Sequence, residues 1–181
     1  MTSLLGSFHR IRNFILARIQ TGEQCAIRLG VIIGNGCRIY TKNFGSEPFL
    51  ITIGDRVTIS SNVTFINHDG SGWLLNDTRG RRYKYQRITV GDDVFIGANS
   101  TILPGVNIGS RVVVGACSVV TKSIPDDVVV AGNPARIIRS YKDFEDQLYQ
   151  WPSEHDVSCH GAYRDHVMAA LVAGYKDELR R

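Results

Sequence analysis

One imidazole stands apart in this sequence. Of five histidines, His68 is the only one between Gln20 and Gln150, and it lies in Phe65-Ile66-Asn67-His68-Asp69, where residues 69–87 begin a stretch dense in glycine, charge and aromatics. Neutral imidazole is suited to taking a hydroxyl proton near neutral pH, an effect worth roughly 10²–10⁴ in rate. On spacing alone, a solvent-facing or hydrogen-bonded structural histidine fits at least as well. The following stretch carries Asn67 and Asp69 at its start, then Trp73, Arg79, Arg81, Arg82, Lys84 and Arg87. Its cations suit an anionic or phosphorylated acceptor, with loop solubility as the plainer role. His155, Cys159, His160 and His166 lie close together further on, but their spacing fits no regular zinc finger, so no metal is expected.

The chain of 181 residues, 43% hydrophobic, is the size of one main domain with a buried core. Its net charge of +4 is unevenly placed: residues 1–140 carry 16 basic against 9 acidic groups, and residues 141–181 carry 5 against 8. A basic body suits an anionic ligand such as a nucleotide-containing cofactor or an acidic glycan. Without arginine-rich runs interleaved with aromatics, nucleic acid is not the expected partner. The four cysteines are scattered, which fits a reducing compartment better than a disulfide framework. No apolar run approaches a membrane span and the N-terminus has no signal-peptide cleavage site, so a cytoplasmic location is expected.

The elements that must position His68 follow from a period of six. Val90, Ile96, Ile102, Ile108, Val114 and Val120 are evenly spaced, as are Ile27, Ile33 and Ile39, and, after a shift, Ile53, Ile59 and Phe65. With 43% of residues hydrophobic, chance fills these twelve positions with a probability on the order of 10⁻⁵. Glycine follows the aliphatic residue at Gly34, Gly54, Gly91, Gly97, Gly109 and Gly115, and a small or branched residue falls four places after it, as at Val94, Ser100, Val112 and Ser118. Neither a helix nor an alternating strand has this period. A short strand and a turn, repeated, does: the aliphatic residue fills a narrow interior and glycine permits the tight backbone. Three such units close one triangular coil.

These residues resemble the hexapeptide-repeat acyltransferase family. The stretch from Gly91 to Ile138, with Val94-Phe95-Ile96-Gly97-Ala98 and Gly132-Asn133-Pro134-Ala135-Arg136, is similar to the C-terminal half of the maltose, galactoside and capsular-polysaccharide O-acetyltransferases. The resemblance implies a mainly β protein: a left-handed parallel β-helix of hexapeptide repeats with an extruded loop and short N- and C-terminal helices. The expected domains are residues 1–24, an amphipathic basic helix through Leu4, Phe8, Ile11, Ile15 and Ile19; residues 25–140, the β-helix with its loop at residues 69–87; and residues 141–181, a helical extension with a helix near residues 163–179. The N-terminal helix is expected to cover the open end of the coil, with membrane-surface contact as the sharper alternative.

Two breaks interrupt the period. The register slips by two residues around residues 43–48, which reads as a small loop, and the gap from Phe65 to Val90 holds the long one. In the enzymes this chain resembles, the catalytic histidine lies just before such a loop, which implies His68. The same resemblance implies that Phe95 lines the acyl path, that the backbone N–H of Ala98 holds the oxyanion, and that Ala116, Thr121, Lys122, Arg136 and Arg139 contact coenzyme A. Hydroxyl, ammonium and guanidinium groups are apt partners for pantetheine carbonyls and phosphates. Asn67, Asp69, Trp73, Arg79 and Arg82 are candidates for acceptor contact. The implied working unit is a homotrimer with the acyl donor wedged between two coils.

The expected activity is therefore transfer of acetyl from acetyl-CoA to a hydroxyl of a sugar or polysaccharide precursor, directly, with His68 as general base. N-acylation of an amino sugar nucleotide and a noncatalytic binding solenoid are the alternatives. A zinc carbonic anhydrase on the same fold needs three histidine ligands from neighbouring coils, which this repeat lacks.

Overall fold

A computed structural model describes residues 20–157 and 162–172. The expected helix through Leu4 to Ile19 lies outside the described residues, as do Cys159, His160 and the end of the segment expected to be helical to residue 179. The described residues form two compact units, one ending at Tyr141 and the other beginning at Lys142.

The first unit opens with helix α1 (Gly22–Arg28), whose start is fixed by a capping box: Gln24 N–H donates to Thr21 Oγ1 and Thr21 N–H to Gln24 Oε1, both at 3.2 Å. Gly22 lies so close to the next segment that a Cβ there would stand 2.2 Å from the Ile39 carbonyl oxygen. This helix removes Ile27 from the aliphatic series: it sits on α1 and is 58% exposed, although its spacing from Ile33 and Ile39 is right. A helix presents its face by a period of 3.6, so a single residue in phase with the repeat carries no burial with it.

From Ile32 the chain visits three parallel sheets in a fixed rotation. The first contains β1 (Ile32–Ile33), β3 (Ile51–Ile53), β8 (Ile88–Val90) and β11 (Asn107–Ile108). The second contains β2 (Arg38–Ile39), β4 (Thr58–Ile59), β9 (Phe95–Ile96), β12 (Val113–Val114) and β14 (Val128–Gly132), closed by the antiparallel β15 (Ala135–Ser140). The third contains β5 (Thr64–Phe65), β10 (Thr101–Ile102) and β13 (Val119–Val120). The register stacks the sixfold residues into columns: Ile33, Ile53, Val90 and Ile108; Ile39, Ile59, Ile96, Val114 and Val130; Phe65, Ile102 and Val120. All but Ile33 of these are buried, and Val57, Val63, Val94, Val106 and Val112 fill the corners between them. The small corner residues Ser100 and Ser118 are buried polar groups with partners: both hydroxyls donate to the Gly115 carbonyl, at 3.1 and 2.6 Å.

Glycine is required in the repeat for a different reason from the one its spacing suggests. The residues with positive φ lie three places after the aliphatic residue and are mostly not glycine: Arg56, Asn62, Asp93, Asn99, Arg111, Cys117 and Asp127. The glycines directly after the aliphatic residue are required by stacking. A Cβ on Gly97 would approach the Ala116 nitrogen to 2.5 Å, and one on Gly54 would lie 2.8 Å from the Gly91 carbonyl. Side chains then bridge the stacked turns: Asp55 N–H donates to Asp92 Oδ1 at 2.8 Å and Ser110 N–H to Asp126 Oδ1 at 2.8 Å.

The repeat runs on past Val120, where its spacing breaks. After a step of four, Ile124 bridges to Ile108, and Val130 then pairs with Val114. The turn at Gly132-Asn133-Pro134 folds β15 back on β14, ending the parallel course. Helix α2 (Tyr141–Leu148) begins at the last residue of the first unit; in the second, Phe144 meets Trp151 edge-on at 6.5 Å, and α3 (Tyr163–Ala169) is a separate short helix.

Candidate active site

Between β5 and β8 the chain leaves the three sheets and forms a ribbon, β6 (His68–Asp69) paired antiparallel with β7 (Lys84–Tyr85). His68 stands opposite Tyr85 and Asp69 opposite Lys84. The ribbon is tied to the coil at its base by the Gln86 N–H, which donates to the Asn67 carbonyl at 2.9 Å, and by the Ile66 N–H to the Ile102 carbonyl at 2.9 Å. Beyond it, Asp69 caps the 3-10 helix Gly70–Leu74 by accepting the Ser71 N–H at 2.9 Å. Those bonds from Ser71 hold the Asp69 carboxyl below the usual carboxylate range, with Lys84 and His68 adding smaller attractions.

The first break in the repeat, at residues 43–48, clamps this segment. Phe44 is buried and stacks on Phe65 with ring centroids 5.8 Å apart, and the Phe65 N–H donates to the Asn43 carbonyl at 3.0 Å. Gly45, at φ +70°, packs on the Asn67 amide so closely that a Cβ would lie 1.9 Å from Asn67 Oδ1; both the conformation and the space demand glycine. Asn67 is 1% exposed, and neither amide atom has a hydrogen-bond partner among the described residues. Two residues past Gly45, Glu47 places Oε2 2.8 Å from His68 Nδ1. The Glu47 side chain is 17% exposed and that of His68 37% exposed, so the carboxylate is sheltered while the imidazole reaches solvent. A neutral ring that donates Nδ1–H to Glu47 presents Nε2 as a lone-pair acceptor, the arrangement a general base needs. The Tyr85 ring packs beside it, 5.7 Å centroid to centroid.

His68 lines a cleft of about 380 Å³ together with Asp69, Lys84, Gln86, Pro104 and Thr121. Thr121 also lines a second cleft of about 360 Å³ with Lys122, Ser123, Pro125 and Arg136. Thr121 is thus shared by the cleft that holds His68 and the one that holds an ammonium and a guanidinium. A third, of about 520 Å³, is lined by Trp73, Leu74, Leu75, Asn76 and Arg81.

Of the residues singled out from sequence, the structure thus brings His68, Asp69 and Thr121 together, and Thr121 with Lys122 and Arg136. Phe95, Ala98 and Ala116 lie elsewhere. Phe95 is on β9 in the second sheet, 43% exposed, whereas His68 follows a strand of the third. Ala98 occupies the turn after β9; its carbonyl accepts the Cys117 N–H at 2.8 Å, and its own N–H has no partner among the described residues. Arg139 faces Val129 across the closing hairpin. Trp73 is 71% exposed. Arg82 is engaged by Asp77 at 2.7 Å and by the Gly80 carbonyl, Arg81 stacks over Tyr83 at 5.0 Å, and Arg79 lines none of the three clefts. Sequence reasoning missed Glu47, whose one signal was its place in the first break of the period. Among the described residues no group of three or more histidine, cysteine or acidic side chains is placed to hold a metal ion, and no helix is long and apolar enough to cross a membrane.

Comparison with known proteins bears on the family. Residues 87–122 match the model of the bacterial transferase hexapeptide family (six repeats). Protein CapG of Staphylococcus aureus is 49% identical over 126 residues, which are 68% of this chain and 73% of that protein. The galactoside O-acetyltransferase of Escherichia coli is 42% identical over 105 residues, 57% of this chain, and the match spans only 50% of that enzyme. A hexapeptide-repeat acetyltransferase of Vibrio cholerae superposes with a TM-score of 0.51 at 36% identity, over 63% of this chain and 64% of that one. The same protein has been solved with acetyl-CoA bound. This chain belongs to the hexapeptide-repeat acyltransferase family.

Proposed function

We propose that this chain is an acetyl-CoA-dependent O-acetyltransferase acting on a hydroxyl of a sugar or polysaccharide precursor. The observation that carries the proposal is the sheltered Glu47–His68 pair at 2.8 Å, opening on a cleft walled in part by Thr121, which also lines the cleft that holds Lys122 and Arg136. Lys122 and Arg136 suit the phosphates of coenzyme A, and Thr121 suits a pantetheine amide near the reacting end. The acceptor hydroxyl gives its proton to His68 Nε2 as its oxygen attacks the thioester carbonyl. Glu47 holds the ring and balances the imidazolium that forms. The tetrahedral oxyanion takes the N–H of Ala98. When the carbon–sulfur bond breaks, the imidazolium returns the proton to the departing thiolate, so an acetate ester and free coenzyme A leave and no acyl-enzyme forms.

We place the complete site between copies of the chain in a homotrimer, wound left-handed as in the family it resembles, with Phe95 and Ala98 of the second sheet of one copy set against His68 of another. Two relatives support the hydroxyl as acceptor: galactoside O-acetyltransferases of Escherichia coli and Lactococcus lactis. The test is His68→Ala, which is expected to lower kcat by roughly 10²–10⁴ while coenzyme A binding, followed by thermal shift, is kept. Full activity in that variant would reject the mechanism.

A further inference from the structure

The cleft beside His68 carries a charge that acyl transfer does not use. Lys84 lines it, and the ribbon fixes where: Lys84 is paired with Asp69 and adjoins the His68–Tyr85 pair. Successive residues of a strand point to opposite faces, so Lys84 shares its ribbon face with Asp69, and what brings it beside His68 is the cleft that both residues line. Its ammonium forms no salt bridge among the described residues. Asp69, opposite Lys84 and lining the same cleft, accepts the Ser71 N–H and keeps its charge, and Glu47 is engaged by His68. The loop arginines are placed otherwise, with Arg82 on Asp77, Arg81 over Tyr83 and Arg79 lining none of the three clefts. The remaining polar groups in the cleft are neutral. The Gln86 amide lies over Gly105, where a Cβ would come 2.6 Å from its Nε2, and Thr121 offers a hydroxyl. Those two groups suit any sugar, and Lys84 is the one lysine or arginine lining the cleft, so attraction of an anionic group, against the repulsion of Asp69, falls to Lys84.

We propose that Lys84 sets the acceptor class by binding an anionic group, carboxylate or phosphate, on the same or an adjoining sugar ring as the hydroxyl presented to His68. The assignment rests on the acyl-transfer proposal above, since that proposal puts the hydroxyl at His68. A charge-assisted hydrogen bond in a partly closed cleft is worth about tenfold or more in affinity.

The experiment is calorimetric titration of the enzyme, saturated with coenzyme A, with methyl β-D-glucuronide, with glucose 6-phosphate and with methyl β-D-xyloside, which has the glucuronide's ring hydroxyls without its acid. At least one anionic sugar should bind about tenfold tighter than the xyloside, and the two anionic arms separate carboxylate from phosphate. Lys84→Met should bring the ratio close to one, Lys84→Arg should restore most of it, and Arg79→Met should leave it in place. No anionic preference in the wild type, or a preference that survives Lys84→Met in a variant with an unchanged circular dichroism spectrum, overturns the assignment. Failure of the wild type to bind coenzyme A at all would instead count against the acyl-transfer proposal.

Discussion

His68 Nδ1 and Glu47 Oε2, 2.8 Å apart, decide which ring nitrogen is left to work. If Glu47 orients the imidazole and balances its charge, Glu47→Ala should lower kcat by about tenfold or more with little change in the KM for acetyl-CoA. Glu47→Gln should lose less, because its amide oxygen still accepts Nδ1–H. Steady-state kinetics of the two variants checks this; equal kcat in all three proteins would leave Glu47 with a structural role only. His68 could be picked out from sequence because no other histidine lies near it and a break in the period follows it. Glu47 could not, because it is separated from His68 by 21 positions and only the stacking of successive coils brings the two together. Its carboxylate looks like any other in the chain until the loop at residues 43–48 is folded onto Phe65 and Asn67.

At the scale of the coil, the aliphatic spacing predicted the columns, whereas the role of glycine needed coordinates. A repeat that puts one residue of each unit against the backbone of the next coil excludes a Cβ there, whatever that residue's φ. Gly97→Ala should therefore destabilise the chain by about 1–3 kcal/mol, the range for overpacking a tight interior, because the group it would meet is the Ala116 backbone. Gly70→Ala, with nothing within 4 Å of the new Cβ, should be nearly neutral. Urea unfolding of both variants makes the comparison, and equal midpoints would remove the stacking account. The corner pairs Arg56–Asp93 and Arg111–Asp127 are exposed, and the bonds to arginine hold both carboxyls below their ordinary value. A depressed folded-state pKa adds stability above the unfolded carboxylate range and loses it as pH falls through the folded value. Asp93→Asn should thus lower Tm slightly at pH 7, and the gap to wild type should close in acid. The sequence misled at Ile27, where one helical residue happened to be in phase. It stopped short at Val120, because the four-residue step to Ile124 breaks the count although the coil continues.

For the whole molecule, the proposed division of the site between copies is the consequence that matters most. In the site proposed above, His68 and Thr121 each follow a strand of the third sheet, whereas Phe95 on β9 and Arg136 on β15 belong to the second, and the Ala98 N–H after β9 has no partner among the described residues. Spacing could not reveal this, since the sixfold period places every unit on one of three faces without saying which faces meet in an assembly. A shared site makes a prediction that a self-contained one does not. His68→Ala copies retain the Phe95 face, and Phe95→Arg copies retain the base. If each alone is inactive, then mixing the two in equal amounts under conditions that allow exchange should restore about a quarter of the wild-type rate. Each interface draws its base and its face independently from two copies, and one pairing in four has both intact. Copies that carried complete sites would give no activity in the mixture, because every chain would still hold one defect.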